Sequence, residues 1–262
     1  MEITLTIAVS TLDSGIGSIN ISNEHIENIQ LIIIHQISEG RVEDYRAIYD
    51  LIYKKYTNVR IITSFKLGLC FSRNLAITNS STSHLIFSDD DNDYINNLYT
   101  FVCNYLQEYK YPAMLSFKIQ SDDFVDFKLY KTKAFKHTKR SILRLSSIEA
   151  VYDLNFIKKF NLHFDELFGL GSTYPSCEQP IFVNSILKHK GNAFYIPETL
   201  AFHPLDNSGD NFYEPIQAVT RKKMFFEVYG LNGVLFSWVF MLRKVRTVPK
   251  GKRLSFVKSL IL

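Results

Sequence analysis

The sequence predicts an α/β chain built on a mostly parallel sheet flanked by helices, with a helical, basic C-terminal extension. Three observations carry this. Apolar runs rich in β-branched residues alternate with helical periodicity through the first 110 residues, the rhythm of strands joined by crossover helices. Of 262 residues, 46% are hydrophobic and 21% charged, enough for a sizeable core and too apolar for a disordered chain. Charge is also divided. From Arg221 onward ten Lys and Arg face the single acid Glu227, giving +9, whereas residues 1–220 carry −5 within the net +4. An acidic body and a basic tail do different jobs.

The elements follow in order. Residues 3–10 and 30–36 read as buried strands, the second dense in isoleucine. Residues 41–56 place apolar side chains at 45, 48, 49, 52 and 56, which is helical spacing. Residues 59–64 form a third strand, 69–78 a helix, 84–88 a fourth strand and 94–109 a further helix. Short strands are expected at 113–119 and 125–130, a loop at 164–177, a helix at 178–190 and extended chain at 193–202. Residues 212–262 read as aromatic, helical and basic. The expected division is 1–211, with halves at 1–110 and 111–211, followed by 212–262.

In sheets of this kind ligands bind beyond the carboxyl ends of the strands. Thr11, His35-Gln36 and Asp89-Asp90-Asp91 belong on that rim. Crowded carboxylates repel one another, and hard cations such as Mg²⁺ or Mn²⁺ relieve this while keeping positions open for phosphate. The alternative is a solvated turn in which Asp91 or Asn92 caps the next helix. Arg73 can orient a carboxylate or meet a phosphate as a bidentate donor; its plainer role is that of a surface arginine. Cys70, Cys103 and Cys177 are widely spaced and have no metal-type pairing. Residues 10–20 contain no Lys or Arg, which argues against a triphosphate loop. Gly15-Ile16-Gly17 lacks the third glycine of a dinucleotide fingerprint, with Asn20 in its place.

Taken together, several stretches resemble glycosyltransferase family 2 on the GT-A fold. They are Ser10-Thr11, Gly68 with Ser72-Arg73-Asn74, and Leu85-Ile86-Phe87-Ser88-Asp89-Asp90-Asp91. Further on come Phe164-Asp165-Glu166 through Gly171, Cys177-Glu178-Gln179, and Tyr195-Ile196-Pro197-Glu198 with His203-Pro204. The resemblance covers about residues 3–204. It implies inverting transfer of a sugar from a nucleotide-diphosphate donor to a glycan or lipid-linked acceptor, in bacterial surface polysaccharide synthesis. It implies a Mn²⁺ or Mg²⁺ cofactor held by Asp91, Asp89 and His203. Thr11, Arg73, Asp89 and Asp90 would bind the donor. Two positions depart from the pattern: His35-Gln36 stands where an acidic pair is usual, and Gln179 where a basic carboxylate is usual. Glu178 is therefore the expected general base, with Asp165 and Glu166 in reserve. A domain that has lost catalysis and binds a glycan or protein is the alternative.

The tail places Trp238 and its apolar neighbours beside Arg243, Lys244 and Arg246, the pattern of an interfacial anchor at an anionic membrane. Its apolar stretches read as too short to cross a bilayer, and no nucleic-acid motif is visible. Residues 1–4 show no basic n-region. The expected location is cytoplasmic, at the inner face of the plasma membrane.

Overall fold

The computed structural model describes residues 2–22, 28–121, 123–204 and 212–261. Its strands are β1 (Leu5–Leu12), β2 (Ile29–Gln36), β3 (Val59–Ser64), β4 (His84–Ser88), β5 (Asp93–Tyr94), β6 (Met114–Gln120), β7 (Phe135–Lys136), β8 (Ala150–Asp153) and β9 (Ala193–Phe202). Its helices are α1 (Arg46–Lys55), α2 (Leu69–Asn79), α3 (Leu98–Glu108), α4 (Leu154–Lys159), α5 (Glu178–Lys188), α6 (Pro215–Tyr229), α7 (Gly233–Lys244) and α8 (Arg253–Ile261). Among the described residues the strands form one mixed sheet in the order β3-β2-β1-β4-β8-β6-β9-β5, with β7 pairing β9. The long ladders of β1 with β2 and β4, of β2 with β3 and of β6 with β9 are parallel. The short β8, β5 and β7 enter antiparallel.

The sheet separates two cores. Leu31 and Ile33 face one, with Leu98, Val102 and Leu106 of α3. Ile32 and Ile34 face the other, with Cys70, Ala76 and Ile77 of α2 and Phe182, Val183 and Ile186 of α5. Period-two alternation with both faces covered explains why β2 is apolar at every core position.

The expected strand at 125–130 does not form. Both edges of β6 are already occupied, by β8 and by β9, so this segment makes only an isolated bridge between Gln120 and Asp126. It is pinned instead by Phe127 N donating to Ile119 O and by the Tyr130 hydroxyl. The helix expected from residue 94 begins at Leu98, because Asp93 and Tyr94 pair with Phe202 and Ala201 of β9.

The C-terminal helices pack on the body through α5 and α6: Ser176 Oγ donates to Gln217 Oε1 at 2.8 Å, and Asn184 Nδ2 to Glu227 O. The boundary expected after residue 211 falls within 205–211, outside the described residues. One expectation about length is corrected. The run Pro215–Lys244, 30 residues with a window of mean hydropathy 1.5, is long and apolar enough by composition to cross a bilayer. The backbone nevertheless turns at Gly230 (φ +61°, ψ −139°), and α7 folds back on α6, with Tyr229 stacked 3.6 Å from Phe236. Gly233 makes this possible, since a Cβ there would lie 2.7 Å from the Phe225 backbone.

Candidate active site

Register builds the site. Val9 of β1 lies beside Ser88 of β4, so Thr11 and the three aspartates emerge together on the C-terminal rim. Thr11 Oγ1 donates to Asp90 Oδ2 at 2.6 Å. The chain after β1 crosses this pair at Gly15, where a Cβ would sit 2.4 Å from Asp90 Oδ2 and 2.9 Å from Thr11 Oγ1. The acidic run is not a helix cap. Asn97 occupies the N-cap position of α3, and the Asn92 amide donates to Ser88 Oγ.

The β5–β9 pairing delivers the histidine. His203 follows β9, its amide donates to Gln120 O at 2.8 Å, and its Nε2 lies 3.3 Å from Asp91 Oδ1. Asp91, just before β5, and His203, just after β9, thus meet because these neighbouring strands pair antiparallel. Among the described residues no three His, Cys, Asp or Glu side chains gather to hold an ion by themselves. The Asp91 carboxylate suits a hard divalent ion that takes its other ligands from phosphate oxygens and water.

Arg73 is not a surface arginine. It is 2% exposed on α2, with its guanidinium 5.5 Å from the Phe164 ring centroid and 5.9 Å from that of Phe87. Nη2 donates to Ser147 Oγ at 2.6 Å and lies 3.9 Å from Asp89 Oδ1. Nη1 donates to Glu178 Oε1 at 2.9 Å. Burial works against the charge on Arg73, but Glu178 and Asp89 outweigh it and its pKa lies above the ordinary arginine value. For Asp89, burial is the largest influence and raises the carboxyl pKa against the pull of Arg73 and His203. Burial also raises that of Asp90, opposed by the Thr11 hydrogen bond.

Glu178 opens α5, following Cys177 in the left-handed region (φ 72°). The loop before it is fastened at several points. The Asn74 side chain brackets Phe164, donating to its carbonyl at 3.0 Å and accepting from its amide at 2.8 Å. Leu69 N donates to Leu170 O. The two reserve carboxylates have local duties: Glu166 pairs with Lys66 at 2.6 Å, and Asp165 accepts from Leu167 N. Glu178 Oε2 has no hydrogen-bond partner among the described residues. A cleft of about 260 Å³ is lined by Lys66, Gly68, Cys70, Phe71, Glu166 and Phe168; neither Glu178 nor the aspartate run lines it.

Gln179 points elsewhere. It is 2% exposed, its amide donates to the Tyr152 hydroxyl, and its Oε1 is buried without a partner. An ionised carboxylate in its place would be a buried charge, which is costly without a cationic partner. Position 178, not 179, therefore faces Arg73.

Asp13 was not singled out by the sequence reasoning. His35 is fully buried, held by Tyr49 OH at 2.6 Å and Asp13 O at 2.9 Å, and burial lowers its pKa. The carboxylate near the end of β2 comes instead from Asp13 (φ 48°) in the preceding loop. It accepts from Ser38 N at 2.8 Å and from Ser38 Oγ, and these bonds lower its pKa. The left-handed Asp following β1 was the one available sign, and it is not legible without the backbone. Ser147 was missed likewise, lying 74 positions from Arg73.

No protein-family model and no curated protein matches the chain. Its fold matches solved structures of Staphylococcus aureus TarS. Against residues 1–349 of TarS the TM-score is 0.61 at 13% identity, covering 98% of this chain and 79% of that one. The TarS 1–349 complex with UDP-GlcNAc gives 0.61 at 14% identity over the same shares. Against a longer TarS structure the TM-score is 0.57 at 13% identity, and the chain spans half of that length. The expected architecture, a largely parallel glycosyltransferase-type sheet flanked by helices with further helices at the C-terminal end, is the one observed.

Proposed function

We propose that the chain is an inverting glycosyltransferase that moves a sugar from a nucleotide-diphosphate donor, best matched by a UDP-sugar, to a hydroxyl of a glycan or lipid-linked acceptor. The observation that carries this is the convergence of Asp89, Asp91, His203, Arg73 and Glu178 on one rim of the sheet. Its support from outside the chain is the fold shared with TarS, which has been solved with UDP-GlcNAc.

In this reading Asp91 and His203, with Asp89 nearby, are the residues that would hold Mn²⁺ or Mg²⁺. The ion would supply charge neutralisation at the diphosphate. Thr11 fixes Asp90 at the donor side, and Asp13 accepts a hydrogen bond from an N–H of the base, doing the work usually given to the end of the second strand. Glu178 takes the proton from the acceptor hydroxyl through Oε2, while Arg73 holds Oε1 and fixes the carboxylate's direction. The acceptor oxygen bonds the anomeric carbon as the bond to the diphosphate breaks, its electron pair leaving with the diphosphate. The surface-polysaccharide setting belongs to the same proposal.

A second reading, a non-catalytic binding domain, is favoured by one feature, the neutral and buried Gln179. Incubating the full chain with UDP-GlcNAc and other sugar nucleotides, with Mn²⁺ or with chelator, separates the two. Metal-dependent release of UDP supports the enzyme. Binding without release supports the second reading.

A further inference from the structure

The C-terminal helices carry a surface that the site does not use. On α7 the positions Gly233, Ser237 and Met241 are buried, one turn apart. The opposite side presents Val234, Leu235, Trp238, Val239 and Leu242, and Leu231 precedes it; Leu231 is 90% exposed, Leu242 65%, Leu235 64% and Trp238 47%. Isolated exposed apolar residues are ordinary, but a continuous apolar stripe containing a tryptophan marks an interaction surface.

Charge identifies what fits it. The stripe runs directly into Arg243, Lys244 and Arg246, followed by Lys250, Lys252, Arg253 and Lys258. No acidic residue follows Glu227 in the sequence. Lys252 is paired with Glu214, whereas Arg243, Lys244, Arg246, Lys250 and Lys258 have no carboxylate partner among the described residues. On α8, Leu254 is 68% exposed among these charges, while Phe256 and Leu260 close the small core beneath. A stripe of Leu, Val and Trp bordered by unpaired cations matches the boundary of a membrane, where tails lie beneath anionic headgroups.

The fold also distinguishes lying on a membrane from crossing it. The turn at Gly230 divides the apolar run into helices of 15 and 12 residues, roughly 22 and 18 Å long at 1.5 Å per residue. Neither arm spans a hydrocarbon core of about 30 Å. The inner faces of α6 and α7 are already packed on each other and on α5, leaving the outer face of α7 to be covered.

We infer that this face of α7, with the cations that follow it, docks the protein on an anionic lipid surface without crossing it. The inference is independent of the proposed sugar transfer.

Flotation of the full chain with phosphatidylcholine vesicles, with and without 30% phosphatidylglycerol, tests it. The chain should float with the anionic vesicles, sink with pure phosphatidylcholine, and be released as salt is raised. Arg243→Ser/Lys244→Ser/Arg246→Ser should reduce partitioning about 100-fold, at roughly fivefold per cation. Trp238→Ser/Leu242→Ser should reduce it at least tenfold, with an unchanged circular-dichroism melt showing that both variants fold. Failure of the wild type to float, or flotation unaffected by either variant, would overturn the inference. So would a stable dimer in sedimentation that the Trp238→Ser/Leu242→Ser variant dissolves, since the stripe would then cover a second copy.

Discussion

Arg73 and Glu178 meet at 2.9 Å, although they are 105 positions apart and lie on helices approaching the sheet rim separately. The Arg73 side chain is 3% exposed and that of Glu178 13%, so the pair is largely shielded from water. This contact joins the acidic run after β4, through Asp89, to the start of α5.

Breaking that contact from the arginine side should cost stability. Arg73→Met leaves Glu178 and Ser147 without their donor, and loss of one partner of a buried ion pair costs about 3–5 kcal/mol. Arg73→Lys keeps the charge but not the fork that serves Ser147 and Glu178 together, so it should fall between wild type and Met. Urea unfolding of the three proteins gives the order directly; equal midpoints would contradict the role.

On the proposed reading, Glu178→Gln retains UDP-sugar binding and lowers turnover about 10²–10⁴-fold, the usual worth of a positioned base. Steady-state kinetics with a fixed acceptor reads the split between kcat and KM. Unchanged turnover would move the proton elsewhere.

Gly15→Ala should disturb the Thr11–Asp90 pair, whose side-chain oxygens would have to move aside for the new methyl group. Its Cβ would collide with Asp90 Oδ2 at 2.4 Å, and relieving such overpacking costs about 1–3 kcal/mol or displaces the Thr11–Asp90 pair. Thermal melts together with UDP titration detect either result. Wild-type values in both would show that the loop yields freely.

Acid should destabilise the fold from the histidine range downward. Burial lowers the pKa of His137 to about 4, and it also lowers those of His35 and His84. Between Ser116 and Ser141 the His137 ring stays neutral when folded. As pH falls below 6.5 the unfolded chain takes up the proton first. Stability present above pH 6.5 is therefore lost down to about pH 4, by about 3 kcal/mol at most for this ring. Urea midpoints at pH 7, 6 and 5 should fall less steeply for His137→Gln than for wild type; parallel curves would refute the assignment.

Much of the first half was legible because apolar runs and helical periodicity coincide with real elements. Residues 59–64 and 84–88 are strands as expected, and α2 and α5 begin where the pattern places them. The second half was harder for topological reasons. β8 has four residues, yet it occupies the sheet centre, closing β6 to the segment at 125–130. Which residues cluster on the rim was legible where they share a motif, as in the Asp89–Asp91 run. It was not legible for Asp13, whose carboxylate reaches Ser38 only through a left-handed backbone, or for the orientations of Glu178 and Gln179. Adjacent residues at a helix start point apart, and only the packing of Tyr152 decides which one turns inward.

The central claim is that the rim between Thr11 and His203 binds a nucleotide diphosphate with a divalent ion. Calorimetric titration of UDP into the full chain, with Mn²⁺ and with chelator, tests it most directly when repeated on Asp91→Ala. The account predicts binding that requires Mn²⁺ in the wild type and disappears in the variant. UDP binding equally well with chelator, or equally well to Asp91→Ala, would contradict it.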